Sequence, residues 1–137
     1  MNEEKVRAMA AAYTAAWSSR VASRVASHYA ENGSLRINEG ETSMGRAAIT
    51  ESAQAFMTAF PDMVVSMNSL HVDGARARYH WTLTGTNTGP GGTGKRVRFR
   101  GYEDWTLTDD GHIAQSLGHF DQAEYEKQLK GGITPDT

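Results

Sequence analysis

The chain has 137 residues, of which 39% are hydrophobic, enough for one domain with one real core. Lys plus Arg number 14 against 16 Asp plus Glu, and a net charge of −2 gives no global attraction to nucleic acid or to a membrane surface. The absence of cysteine excludes disulfides, thiolate nucleophiles and cysteine metal sites.

Asn2 is placed to cap a first helix, with Glu3 and Glu4 in its favourable first turn. Val6, Met9, Ala10, Tyr13, Ala16 and Trp17 recur at helical spacing and form one apolar stripe. A second short helix follows Ser18-Ser19, with Val21, Val25 and Tyr29 inward and Asn32-Gly33 at its end. Ser34 to Ile37 is a short strand, and a third helix covers Arg46 to Ala59 until Pro61 stops it. From Met63 the period changes to two. Met63 to Val72 and Ala75 to Thr86 read as strands joined by the hairpin signal Asp73-Gly74. Lys95 to Thr108 is a third long strand, with Val97, Phe99, Gly101, Glu103, Trp105 and Leu107 on one face. Ile113 to Asp121 alternates in the same way, which puts Ile113, Gln115, Leu117, His119 and Asp121 on one side. A last helix spans Gln122 to Lys130. Residues 131–137 read as a tail to a single domain over 1–130. Helices first and strands later imply an α+β fold with a mostly antiparallel sheet covered on one side.

The N-terminal Met1-Asn2-Glu3-Glu4-Lys5 leads into no hydrophobic run, and no stretch approaches the roughly 20 apolar residues of a membrane span. The expectation is a soluble, cytoplasmic protein without nucleic-acid or membrane partners. Gly89-Pro90-Gly91-Gly92-Thr93-Gly94 matches a dinucleotide fingerprint and, with Lys95, nearly a P-loop. Both need a helix N-terminus next. Lys95-Arg96-Val97-Arg98-Phe99-Arg100 alternates like a strand instead, so a hairpin loop is expected. The arginines of that strand alternate with Phe99, unlike an RNA-binding sheet, where basic and aromatic residues share a face. None of the five histidines has the spacing of a zinc site, so no metal is expected.

Three polar groups fall on faces that are otherwise apolar: His119, Asp121 and Glu103. Burying such groups costs several kcal/mol, roughly, unless they are paired or used. A carboxylate beside an imidazole in an apolar cavity is a proton-transfer pair. Asp121 directly precedes the last helix, which also makes it an N-cap. Glu103 shares its face with Phe99, Trp105 and Leu107, so desolvation would raise its pKa unless an arginine such as Arg36 neutralises it. Tyr13, Trp17, Tyr29, Phe56, Tyr79, Trp81, Phe99 and Trp105 all fall on predicted inner faces, where bulky aromatics form a core or line a small-molecule pocket.

Phe60-Pro61-Asp62-Met63, Trp81 to Thr86, Gly94 to Gly101, Asp110-Gly111-His112-Ile113 and Phe120-Asp121-Gln122 form an ordered series. The series resembles the SnoaL-like polyketide cyclases of the NTF2-like superfamily. The resemblance implies a cone in which a curved, mostly antiparallel sheet carries three helices of the N-terminal half on its concave face, around a pocket. It also implies a homodimer, a small hydrophobic substrate and no cofactor. In such cyclases an acidic residue near the last strand is the general acid/base of an aldol ring closure. By position that residue is Asp121, with His119 orienting it or donating to the oxyanion and Glu103 as a secondary acid. The alternatives are a non-catalytic binding module and an isomerase or epoxide hydrolase relative. The hydrolase needs an arginine between two carboxylates, whereas the strand phase puts Arg78, Arg98 and Arg100 outside.

Overall fold

Asn2 caps the first helix by accepting a hydrogen bond from the Lys5 amide, and in the computed structural model, which describes residues 2–133, the elements then follow in the order α1 (Glu3–Ser18), α2 (Ala22–Ala26), β1 (Tyr29–Ile37), β2 (Ser43–Met44), α3 (Gly45–Ala59), β3 (Val64–Asp73), β4 (Arg76–Thr86), β5 (Arg96–Leu107), β6 (Ile113–Phe120) and α4 (Gln122–Gly131). The six strands form one sheet in the order β2-β1-β6-β5-β4-β3. All neighbours are antiparallel except β1 and β6, which run parallel. The N-terminal helices cover one face, α1 lying along β3 and α3 along β1. The expected α+β layering is therefore present.

Four local expectations need correction. The second helix ends at Ala26 rather than near Asn32, and Tyr29 opens a strand instead of closing a helix. Ser43 and Met44, which lie between the elements read from the sequence, make a two-residue strand against Ser34 and Leu35. Gly131, expected in the tail, ends α4, while residues 134–137 of that tail lie outside the described residues. The fourth correction concerns β6. Thr106 pairs with Gln115, but Leu107 pairs with Ile113, so Ala114 is an extra residue, a bulge. A one-residue shift swaps the two faces of a strand. Beyond Ala114 the inward residues are Ser116 and Gly118, both buried, while Gln115 is exposed.

The glycine-rich loop is no phosphate cradle, because a strand follows it. Gly89 is held against the end of α3, where a Cβ would lie 2.0 Å from the Thr58 carbonyl oxygen. Only glycine allows that approach.

β5 is longer than its partner β6, whose pairing reaches only from Gly101 to Leu107. Past that point α4 takes over. The buried side chain of Gln128 accepts a hydrogen bond from the Arg98 amide at 2.7 Å and donates one to the Arg98 carbonyl at 2.9 Å. One side-chain amide thus replaces a strand partner and docks the last helix. Gln128→Leu keeps the bulk but leaves both backbone groups unpaired. Each such group costs about 1–3 kcal/mol, so urea unfolding should show a loss of at least about 2 kcal/mol. A loss below about 0.5 kcal/mol would mean that apolar packing alone holds α4.

Candidate functional site

β5 keeps the alternation read from its sequence, so Val97, Phe99, Glu103, Trp105 and Leu107 are buried on the helix-covered face. Glu103 is only 7% exposed. Its Oε1 accepts three hydrogen bonds, from the Tyr13 hydroxyl at 2.9 Å, Trp105 Nε1 at 2.9 Å and the Ser116 hydroxyl at 2.7 Å. Tyr13 lies 2.9 Å from the Tyr29 hydroxyl, and because its single proton goes to Glu103, Tyr29 donates to Tyr13. The donors are held by packing. Tyr79 stacks on Trp105 with centroids 4.8 Å apart, and Tyr13 meets the Trp105 ring edge-on at 5.3 Å.

Among the described residues no cation faces this carboxylate. Arg36 pairs with Glu39, Arg78 pairs with Asp104, and Arg98 and Arg100 are exposed. Burial therefore raises the pKa of Glu103 above the usual carboxylate value, and the hydrogen bonds on Oε1 only partly oppose it. Burial also raises Tyr13 and Tyr29 well above the ordinary phenol value, so both remain neutral donors.

Glu103 forms part of the wall of a narrow cleft that opens to solvent. The rest of that wall is almost wholly apolar. Trp17, Phe56, Tyr79, Trp81 and Phe99 line it. Tyr13, Tyr29 and Trp105 do not line it and stand behind Glu103 as its hydrogen-bond network and packing. The three hydrogen bonds all fall on Oε1, and the Tyr29 hydroxyl also lies close enough to the carboxylate to favour its ionised form.

Two further buried polar atoms are unusual. Among the described residues, Trp17 Nε1 and Trp81 Nε1 are the buried side-chain nitrogens or oxygens without a hydrogen-bond partner. Trp17 lies close enough to the Tyr13 phenol to favour its ionised form slightly, yet makes no hydrogen bond to it. An unsatisfied buried donor costs about 1–3 kcal/mol.

The three polar residues expected to work together are separated. Asp121 is exposed and caps α4, accepting from the Glu124 amide at 3.0 Å, and it takes no part in the cleft wall. His119 borders the cleft, but it pairs across the sheet with Tyr102, and its imidazole lies 4.9 Å from the Tyr102 ring, on the side away from Glu103. The bulge at Ala114 causes this, because it reverses the face on which His119 was expected. In its place comes Ser116, a Glu103 ligand that the uninterrupted alternation put outside. Among the described residues no group of three or more His, Asp or Glu is placed to hold a metal ion, and no helix is long and apolar enough to cross a membrane.

A curved six-stranded sheet folded over a cleft beneath N-terminal helices is the NTF2-like architecture. The SnoaL-like polyketide cyclase family model matches residues 7–129, and the chain belongs to that family. Among solved structures it is similar to a proposed SnoaL-like polyketide cyclase from Jannaschia sp. CCS1 (15% identity over 96% of this chain and 95% of that one, TM-score 0.83). It is also similar to AclR, a proposed hydroxylase from Streptomyces galilaeus (21% identity over 99% and 86%, TM-score 0.80). A third is SalBIII, an epoxide hydrolase/cyclase-like enzyme of pyran ring formation in the polyether salinomycin (20% identity over 90% and 95%, TM-score 0.77). At these identities the likeness is one of fold. No curated protein matches the chain.

The raised pKa of Glu103 has a consequence for stability. Between the unfolded value, about 4.3, and the higher folded one, the native state holds a proton that the unfolded chain has released. Unfolding then releases that proton, so this residue's contribution is intact below the unfolded pKa and is lost as pH rises through the folded one. Glu103→Gln accepts the same three hydrogen bonds without the charge. Its melting temperature should exceed that of the parent near pH 8, and the gap should close near pH 4. A gap independent of pH would show that Glu103 is not desolvated.

Proposed function

We propose that the chain is an acid/base enzyme acting on a hydrophobic carbonyl compound, with Glu103 rather than Asp121 as the general base. One observation carries this reading. Among the described residues a single carboxylate stands on the cleft wall, buried without a cation, and its three hydrogen bonds gather on one oxygen. The other oxygen remains for a substrate proton. A desolvated carboxylate is a stronger base than one in water, and its raised pKa brings it nearer to neutrality, where general bases work best. Tyr13, Trp105 and Ser116 fix its position before substrate arrives, so little reorganisation accompanies proton transfer. The step is removal of a proton alpha to a carbonyl, leaving an enolate that closes a ring, shifts a double bond or is reprotonated. SnoaL-like cyclases as a family support ring closure as the outcome. Among the described residues no arginine lines the cleft, which disfavours the epoxide hydrolase reading.

A generic carbon acid tests the base without knowledge of the substrate. The protein should accelerate hydrogen–deuterium exchange at the alpha carbons of 2-tetralone in heavy water, followed by proton NMR. Glu103→Gln should reduce the accelerated rate by about 10²-fold or more. The rate should rise with pH to a plateau through a pKa displaced above the usual carboxylate range. An unaccelerated reaction, or one unchanged in Glu103→Gln, overturns the assignment.

Asp121→Ala separates the two carboxylates. It should lower stability by about 0.5–2 kcal/mol through loss of the cap and leave the exchange rate per folded molecule within about threefold. A loss as large as that of Glu103→Gln would return the base role to Asp121.

A further inference from the structure

We propose that Gly118 is a specificity-determining residue, whose missing side chain keeps room beside Glu103 for a ligand that is branched or cyclic at its reacting carbon. The inference rests on the cleft being the ligand site, as in the proposed function, and its binding readout does not need Glu103 to be the base. Gly118 is buried and lines the cleft. In the sheet it stands between two other lining residues, paired with Glu103 on β5 and with Ile37 on β1. Residues directly opposite on neighbouring strands share a face, so a side chain at position 118 would enter the cleft between theirs. An added Cβ would lie 3.7 Å from Glu103 Cγ and 3.9 Å from Ile37 Cγ1.

The backbone does not require glycine there. The glycines within strands are Gly33, Gly85, Gly101 and Gly118, and none of them has a left-handed φ. Crowding fixes the first three. A Cβ on Gly33 would lie 2.8 Å from the Ile113 carbonyl oxygen, one on Gly85 would lie 3.1 Å from Phe60 Cβ, and one on Gly101 would collide with the His119 carbonyl. At Gly118 the nearest atom, the Arg36 carbonyl oxygen, would be 3.5 Å away, an ordinary van der Waals contact. Glycine weakens a strand, because it packs no side chain and loses more backbone freedom on folding. A buried strand glycine that sterics do not demand is therefore explained by the space it leaves.

The chemistry of the site indicates what that space holds. For proton transfer the reacting carbon has to come within about 3–3.5 Å of a carboxylate oxygen. The groups bonded to that carbon then lie along the flank of the Glu103 side chain. A linear chain brings a narrow methylene to that flank, whereas a ring or a branch brings a wide edge. The cleft is narrow and its wall is almost wholly apolar, so one methyl group at position 118 would discriminate between the two shapes.

Gly118→Ala tests this with two apolar ketones, the fused-ring 2-tetralone and the linear 2-octanone. The variant should melt at or above the temperature of the parent, since the added methyl group fills space without a clash. Calorimetric titration should show 2-tetralone bound about tenfold or more weakly than by the parent, within the range that one methylene carries in an apolar pocket. Binding of 2-octanone should stay within about twofold. Exchange at the alpha carbons should divide between the two ketones in the same way. A melting temperature several degrees below that of the parent would make Gly118 structural and overturn the proposal. Unchanged binding of 2-tetralone, equal weakening of both ketones, or a parent that binds neither overturns it as well. The two readings stay distinguishable. If the parent binds 2-tetralone without accelerating exchange, and Gly118→Ala loses that ketone selectively, Glu103 fails as the base while the role of Gly118 stands.

Discussion

The fold is arranged around one unfavourable act, the burial of a carboxylate without a counterion. Glu103 sits among aromatic rings, and among the described residues only neutral donors reach it. Three hydrogen bonds to a charged acceptor recover part of the desolvation cost, at about 1.5–3 kcal/mol each. They do not recover all of it, because burial still outweighs them in raising the pKa. A protein that used this cleft only to hold a lipophilic ligand would be more stable with an apolar residue at position 103. That imbalance argues for proton transfer over passive binding, because a base in this environment is poised to react.

Which residues meet Glu103 is decided by a single inserted residue. With uninterrupted pairing from Ile113 onward, Leu117 would stand across from Glu103, and His119 would face the cleft. The bulge at Ala114 turns those side chains away and presents Gly118 and Ser116 instead. Gly118 leaves room beside the Glu103 side chain, where an added Cβ would sit 3.7 Å from Cγ. Ser116 supplies the shortest of the three hydrogen bonds. The bulge therefore exchanges an imidazole for a hydroxyl. The proposed proton transfer then rests on one titratable group, where the sequence suggests a pair.

What was legible in the sequence follows from the range of the interactions involved. The alternation of β5 from Val97 to Leu107 is local, and it placed Glu103 and Trp105 correctly on the inner face. The helical stripe of α1 likewise placed Tyr13 and Trp17. The dual reading of Asp121 was legible too, as a residue before a helix, and its cap is what the geometry displays. The bulge was not legible, because Ala114 differs from its neighbours only through its pairing with β5. The parallel contact of β1 with β6, the two-residue β2 and the grip of Gln128 on Arg98 are also long-range events with no local signature. Gln128 did carry one weak signal, a polar residue on the inward side of an otherwise unremarkable helix.

Family membership narrows the chemistry less than the placement of charge does, since one fold hosts many reactions. Among the described residues the cleft wall has a single carboxylate and no arginine or lysine. Opening an epoxide between two carboxylates calls for a second acid, and stabilising a full phosphate or carboxylate on the ligand calls for a cation. Neither is in the wall. One strong base in an otherwise apolar wall is instead suited to moving a proton off carbon. The arginines that might have changed this reading lie across the sheet, where Arg78 is tied to Asp104 and rests 4.5 Å over the Tyr102 ring. The side of the sheet on which β5 places its charges therefore restricts the reaction as strongly as the identity of the base. It does so by the same alternation that buries Glu103.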